Sequence, residues 1–145
     1  SEKDWESSLL NPKFNIKETK HVDSITVDSV IKNKNIDNKL LILKIDVEGA
    51  DFNVLSGAKN TIKKAKPFII IEFSKYIFDN KQFNYEYLVD FLHLNNYQIY
   101  SKNGNKCSVG DILMLLKKLD KVHDTIGNFY LISNDRKEIT NKIFR

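Results

Sequence analysis

The sequence is poor in the residues that mark several specialised protein classes. Its 145 residues include one cysteine, two prolines and five glycines. The single cysteine, Cys107, excludes an internal disulfide and leaves the CxxC metal and redox motifs without a partner. The low glycine and proline content excludes a collagen-like or low-complexity chain. No apolar run approaches the roughly 20 residues that a bilayer-spanning helix needs.

The charge is mildly positive, and its distribution argues against a nucleic-acid interface. There are 23 basic and 19 acidic side chains, a net charge of +4. Arg136 and Arg145 are the only arginines, and the lysines are scattered, whereas nucleic-acid interfaces concentrate basic residues in one patch. Residues 1–6 are polar, which predicts no secretory signal at this end. We therefore expect a cytoplasmic single domain over residues 1–145 that binds neither nucleic acid nor membrane.

Strand and helix patterns alternate along the chain. Clusters of β-branched and apolar residues predict strands at 24–27, 40–46, 67–73, 97–100 and 128–132. Apolar spacing predicts helices over 50–64 with Gly57 inside, over 83–94, and from Ser108 or Asp111 to 120. The strands at 40–46 and 67–73 are apolar enough to be buried on both faces, and the tail from Arg136 is expected to fray. The fold class predicted is α/β, with a mostly parallel sheet flanked by helices.

Three carboxylates lie at the ends of the two buried strands. Asp46 and Glu48 follow the first strand, and Glu72 lies near the end of the second. Open α/β sheets bind ligands beyond the carboxyl ends of their strands, and strands joined by one helix are expected to be neighbours. Lys44 lies two residues before Asp46, so both side chains point to the same sheet face. The sequence therefore predicts that these groups converge on one edge of the sheet.

Two interpretations of this edge stay open. In the structural one, Lys44 pairs with Glu72 or Asp46, because an unpaired lysine in so apolar a strand is costly, and Glu48 favours the positive end of the next helix. In the functional one, a carboxylate accepts a proton from a substrate hydroxyl, or holds the substrate or a cation. The spacing of the three carboxylates does not predict a metal site.

Two segments in and after the first buried strand resemble the signature of the FkbM family of S-adenosylmethionine-dependent methyltransferases. They are residues 43–52, LKIDVEGADF, and residues 54–58, VLSGA. The family signature is close to lKiDvEGaE followed by vLkGa. Residues 7–9 (SSL), 25–28 (ITVD) and 67–72 (PFIIIE) resemble further family segments in the same order. The resemblance implies a class I methyltransferase fold. It also implies S-adenosylmethionine as cofactor and transfer of a methyl group to a hydroxyl of a sugar or natural-product acceptor, a small molecule or glycan.

The resemblance also implies roles by position. Asp46 and Glu48 correspond to the loop after the fourth strand of that fold, beside the donor methyl group and the acceptor, and Glu72 follows the fifth. The implied catalytic residues are Asp46, Glu48 and Glu72, in that order. Asp51 stands where the family usually has Glu, and its shorter reach weakens any role there.

The family's glycine-rich D.GAN.G loop, and the acidic residue that holds the donor's ribose, are not found in the sequence. No cofactor-binding residue is therefore predicted. We expect the chain to be the C-terminal two-thirds of the domain, without its first βαβα segment, and to bind S-adenosylmethionine poorly by itself.

Two other classes remain as alternatives. Residues 46–51, DVEGAD, are superficially similar to the magnesium sites of nucleic-acid-cleaving α/β domains, although the spacing of the acidic residues differs. A non-catalytic α/β interaction module is the other alternative, because a truncated sheet exposes an unpaired edge through which a homodimer could form. His93 and Cys107 are interpreted as packing or loop residues, and His123 as a weaker catalytic candidate.

Overall fold

The computed structural model describes residues 20–32, 34, 41–47, 49–75, 78, 84–121 and 124–144. Within these ranges the strands are β1 (Ile42–Ile45), β2 (Phe68–Ser74), β3 (Tyr97–Tyr100), β4 (Lys106–Cys107) and β5 (Thr125–Ser133). The helices are α1 (Val27–Ile31), α2 (Asp51–Ser56), α3 (Lys59–Ala65), α4 (Tyr85–Asn95), α5 (Val109–Lys117) and α6 (Lys137–Ile143). A 3-10 turn, Asn134–Arg136, leads into α6. The predicted SSL segment, Glu48 and His123 lie outside the described residues.

The sheet has the strand order β1-β2-β5-β3-β4. Among the described strands, only β1 and β2 are hydrogen-bonded in parallel, and the pairs β2–β5, β5–β3 and β3–β4 are antiparallel. The α/β class is therefore correct, with helices flanking a five-stranded sheet, but the prediction of a mostly parallel sheet is wrong.

The antiparallel pairing has a simple topological cause. Strands β1, β2 and β3 run in the same direction, as the helices between them require, but β5 inserts between β2 and β3 and runs the opposite way. The reversal comes from the two-residue strand β4, which forms a hairpin with β3 before α5. Helix α5 then connects β4 to β5. These two strands lie on either side of β3 and run in the same direction. The sequence pattern missed β4, and with it the change of direction.

Two hydrophobic clusters lie on opposite faces of the sheet. The larger joins inward-facing strand residues such as Ile71 and Leu131 to α2, α3, α4 and α5. The smaller joins the other face to α6; its buried members are Phe68, Tyr100, Ile132 and Ile139. Because α6 carries Ile139 into this cluster, the expectation of a frayed tail after Arg136 is wrong.

Strand β1 is covered on one face only. Its exposure alternates, with Ile45 buried and the side chains of Ile42 and Lys44 exposed. The prediction that residues 40–46 form a strand buried on both faces is therefore wrong. Helices pack on the face of Leu43 and Ile45, whereas the strand members of the small cluster around α6 lie on β2, β3 and β5.

The segment before β1 also differs from the sequence prediction. Residues 20–26 have no regular structure and α1 begins at Val27, so the predicted strand at 24–27 is wrong. Thr26 has extended backbone angles, and its hydroxyl accepts a hydrogen bond from the Ser29 N–H at 3.1 Å. The alternation of β-branched residues is overridden here by a helix cap.

The predicted helix over 50–64 is two helices, α2 and α3, separated at Gly57 and Ala58. The segment before β1 approaches this break closely: the Gly57 carbonyl accepts a hydrogen bond from the Asp28 N–H at 3.0 Å. A Cβ atom at position 57 would lie 3.3 Å from the Thr26 Cβ. Gly57 thus allows the chain near Thr26 to pack against the break.

Candidate active site

Asp46 lies one residue beyond the end of β1, on the edge where the parallel strands β1 and β2 end. Its carboxylate accepts a hydrogen bond from the Lys44 ammonium, and 42% of its side chain is exposed. The parallel register ends with the pair Ile45–Ile71, and Asp46 and Glu72 are the residues that follow this pair in sequence. The predicted adjacency of the two strands is therefore confirmed.

Glu72 lies within β2, paired with Asn128 of β5, and not after the strand as the resemblance implied. It is half-buried. The Thr125 hydroxyl lies 3.0 Å from Glu72 Oε1 and 3.1 Å from the Phe73 carbonyl oxygen, so its single proton is shared between two acceptors. The bulge after Phe73, where β2 shifts register against β5, places Thr125 near both groups.

Lys44 is solvent-exposed, with 56% of its side chain accessible. The expected cost of burying this lysine therefore does not arise, and among the described contacts its ion-pair partner is Asp46 and not Glu72. The hydrogen bond with Asp46 raises the pKa of Lys44, and the negative charge of Glu72 adds to the same effect. The structural interpretation is correct about this pair, and the exposed Asp46 carboxylate also remains accessible to a ligand.

Asp51 is buried at the start of α2, which the sequence did not predict. Only 2% of the residue is exposed, and its Oδ2 accepts a hydrogen bond from the Gly49 N–H at 3.2 Å. Burial raises the pKa of Asp51. Backbone hydrogen bonds from Asp51 and Gly49 oppose this shift, while the negative charges of Asp46 and Glu72 reinforce it. Asp46, Asp51 and Glu72 are therefore close enough to interact electrostatically.

Of the other predicted candidates, His93 and Cys107 are described and lie away from this edge. Glu48 and His123 lie outside the described residues. His93 and Cys107 line an open cavity of about 540 Å³ beside α4, β3 and β4, and none of the three described carboxylates lines it. Burial raises the pKa of the Cys107 thiol, which is the opposite of what a reactive thiolate needs.

The described part of the chain contains neither a cluster of metal ligands nor a membrane-spanning helix. No group of three or more His, Cys, Asp or Glu side chains there has the arrangement to hold a metal ion. None of the described helices is both long and apolar enough to cross a membrane.

Comparison with known families agrees with the signature around Asp46. A family model described as the methyltransferase FkbM domain matches residues 1–99, more than half of the chain. The chain belongs to the FkbM methyltransferase family. No curated protein and no solved structure matches it.

Family membership makes this FkbM chain a methyltransferase in general function. The matched region contains β1, α2, α3, β2 and α4, and with them Asp46, Asp51 and Glu72. It ends at residue 99, so α5 and β5 lie beyond it even though β5 is the central strand of the sheet. The acidic edge is therefore inside the family's region, while part of the sheet that supports it is outside.

Proposed function

We propose that this chain provides the acceptor side of an S-adenosylmethionine-dependent O-methyltransferase, which methylates a hydroxyl of a sugar or natural-product acceptor. One observation carries the proposal: the exposed Asp46 carboxylate stands beyond the end of β1, next to Glu72, in a chain of the FkbM family. Ligands of α/β sheets bind at this edge.

The chemistry required of the protein is modest. A hydroxyl group attacks a carbon atom more readily if a carboxylate accepts its proton during the reaction. Asp46 is the first candidate, because its carboxylate is both exposed and held by Lys44. The hydrogen bond from Lys44 favours one orientation of the carboxylate and leaves its second oxygen for the acceptor. Alignment of that hydroxyl with the methyl group accounts for much of the acceleration in a displacement of this kind.

Glu72 fits a supporting role at the same edge. Its Oε1 lies near the Thr125 hydroxyl, which restricts its movement, and its side chain is half-buried. A carboxylate held in this way can accept a hydrogen bond from a second hydroxyl of a sugar, which would orient the acceptor. We therefore assign proton acceptance to Asp46 and acceptor orientation to Glu72.

The described residues do not fit the whole methyl donor. S-adenosylmethionine supplies an electrophilic methyl group when bound, and α/β folds usually hold nucleotide-like cofactors at a glycine-rich turn. The described part of the turn between β1 and α2 has one glycine, Gly49, whose N–H is already bonded to Asp51. The carboxylates at this edge suit a positive sulfonium and oppose the donor's own carboxylate. No described residue is therefore assigned to the adenosyl or amino-acid part of the donor.

Two measurements on the full-length protein test the proposal. Isothermal titration should detect S-adenosylmethionine binding, and a labelled methyl group should then appear as a methyl ether on one of a panel of methyl glycosides and phenols. Absence of donor binding would contradict the whole proposal. Methylation at nitrogen or sulfur acceptors only would contradict the O-methyltransferase assignment.

The same protein sample distinguishes the two alternatives. Thermal stabilisation by Mg²⁺ with no response to S-adenosylmethionine would favour a magnesium-dependent acidic site. No response to either ligand would favour a non-catalytic interaction module. The acidic edge predicts a response to S-adenosylmethionine without any requirement for Mg²⁺.

A further inference from the structure

The connection between β1 and α2 contains a buried carboxylate with an unusual position. Asp51 is 2% exposed although it stands at the first residue of α2, where an acidic side chain ordinarily faces solvent. Its Oδ2 accepts a hydrogen bond from the N–H of Gly49, two residues earlier, at 3.2 Å. The carboxylate therefore folds back against the connection and does not point into solvent.

The backbone at Gly49 explains why this contact has a structural effect. Gly49 has a φ of 105°, a backbone conformation that residues other than glycine rarely adopt. The next residue, Ala50, donates its N–H to the Val47 carbonyl at 3.4 Å. Two hydrogen bonds, one from Gly49 and one from Ala50, thus define the turn that follows Asp46. The one at Gly49 depends on the side chain of Asp51.

We propose that Asp51 is a positioning residue of the site, which holds the Gly49 N–H and thereby fixes the turn that places Asp46 at the edge of the sheet. This inference rests on the proposed function only in its kinetic consequence, because the hydrogen bond itself can be tested in the absence of activity. Asp51 contacts neither substrate nor donor in this role. It acts through the backbone between Asp46 and α2.

The burial of Asp51 and its acidic neighbours support this assignment. Burial raises the pKa of Asp51, and the charges of Asp46 and Glu72 raise it further. A buried carboxylate close to two others costs free energy, since its charge is poorly solvated and repelled. Asp51 serves as an acceptor for Gly49 despite this cost. A role in holding the turn accounts for an acidic residue at a position where an apolar one would bury more easily.

Three variants of the full-length protein separate the contribution of the acceptor oxygen of Asp51 from that of its charge. Asp51→Asn keeps an oxygen acceptor for the Gly49 N–H but removes the charge. Asp51→Ala removes the acceptor. If Asp51→Ala fails to fold, Asp51→Leu takes its place as the variant without an acceptor, because Leu is close in shape to Asn. Asp90→Asn, an exposed carboxylate of α4, is the matched control.

The first measurement is hydrogen exchange at the Gly49 amide. We expect exchange to be about tenfold faster or more in Asp51→Ala, because its hydrogen-bond acceptor is gone, and close to the parent rate in Asp51→Asn. Parent-like exchange in Asp51→Ala would overturn the proposal. Faster exchange in Asp51→Asn to the same extent as in Asp51→Ala would also overturn it, because the acceptor oxygen would then be irrelevant.

The second measurement is the methyl-transfer rate. Asp51→Ala is expected to lower kcat about tenfold with a nearly unchanged KM for the donor, and Asp51→Asn to restore most of it. Equal loss of kcat in both variants, or a change confined to KM, would contradict a positioning role. A parent protein that transfers no methyl group would refute the proposed function, and the exchange measurement would still decide the role of Asp51.

Discussion

Asp28 and Thr61 lie 33 residues apart in sequence and meet at the start of α3. One carboxylate oxygen of Asp28 accepts hydrogen bonds from both the N–H and the hydroxyl of Thr61, each at 2.8 Å. The other oxygen accepts two from Asn60, from its N–H and its side-chain amide, each at 3.0 Å. The carboxylate thus caps α3 from outside the helix, because its own N-cap residue, Ala58, has no side-chain acceptor.

Replacing Asp28 with Ala should destabilise the fold by about 1–2 kcal/mol, the usual effect of losing a helix cap. Burial alone would raise the pKa of Asp28, but its four hydrogen bonds outweigh burial and lower it. Urea denaturation at neutral pH measures the loss. Asp23→Ala removes an exposed carboxylate from the same segment and should change stability by less than about 0.5 kcal/mol. Equal midpoints for the two variants would show that the cap is not formed.

The role of Asp28 illustrates what the sequence could and could not predict. The sequence placed Asp28 in a segment that resembles the family, but the two residues that its carboxylate binds, Asn60 and Thr61, lie in a helix more than 30 positions later. Hydrogen-bond partners at that separation leave no periodic signal. By contrast, the strand at 97–100 was predicted correctly, and Ser108, one of the two residues proposed to begin the next helix, is its N-cap. Apolar alternation and capping residues are local signals.

The candidate site likewise has features that the sequence could predict and features that it could not. The adjacency of β1 and β2 was predictable, since strands joined by one helical connection are usually neighbours. The burial of Asp51 was not, because a carboxylate at the start of a helix ordinarily faces solvent. Lys44 was expected to be buried because its strand is apolar, yet one face of β1 is exposed. Burial depends on what covers each face, and the strand's own residues do not specify that.

Replacing Asp46 with Asn should lower turnover by more than about tenfold in the full-length protein, with its fold intact. Asn cannot accept the proton of the acceptor hydroxyl, although it occupies nearly the same volume. The measurement is the rate of methyl transfer to the true acceptor, with circular dichroism as the check on folding. Asp90→Asn, an exposed carboxylate on α4, should keep the parent rate. Equal activity of Asp46→Asn and the parent would remove Asp46 from the mechanism.

The raised pKa of Asp51 predicts that its contribution to folding stability falls as the pH rises, which is opposite to the effect of an ion-paired carboxylate. The folded protein holds the Asp51 proton more tightly than the unfolded chain, whose value is near 3.8. Stability should therefore fall as the pH rises from about 3.8 through the raised value, where the folded state loses this proton. In Asp51→Asn that decrease should be absent. The measurement is the difference in unfolding free energy between the two proteins as a function of pH. A difference that does not vary over this window would contradict the shift.

The region beyond the family match is structurally essential. Strand β5 lies between β2 and β3 and pairs with both, and α5 packs against the same sheet through Ile112 and Leu116. Strand β5 therefore completes the sheet whose edge carries Asp46 and Glu72. Loss of packing in α5 should accordingly destabilise the whole domain and not merely its last helices.

Leu116 and Met114 on α5 provide a matched test of that packing. Leu116 is 0% exposed and Met114 is 59% exposed. Leu116→Ala should cost about 2–5 kcal/mol, because it removes buried methyl groups and leaves a cavity. Met114→Ala should change stability by less than about 0.5 kcal/mol, because its side chain already contacts water. Chemical denaturation followed by far-ultraviolet circular dichroism measures the loss of stability in each variant. A Leu116→Ala midpoint equal to that of Met114→Ala would mean that α5 is not docked on the sheet.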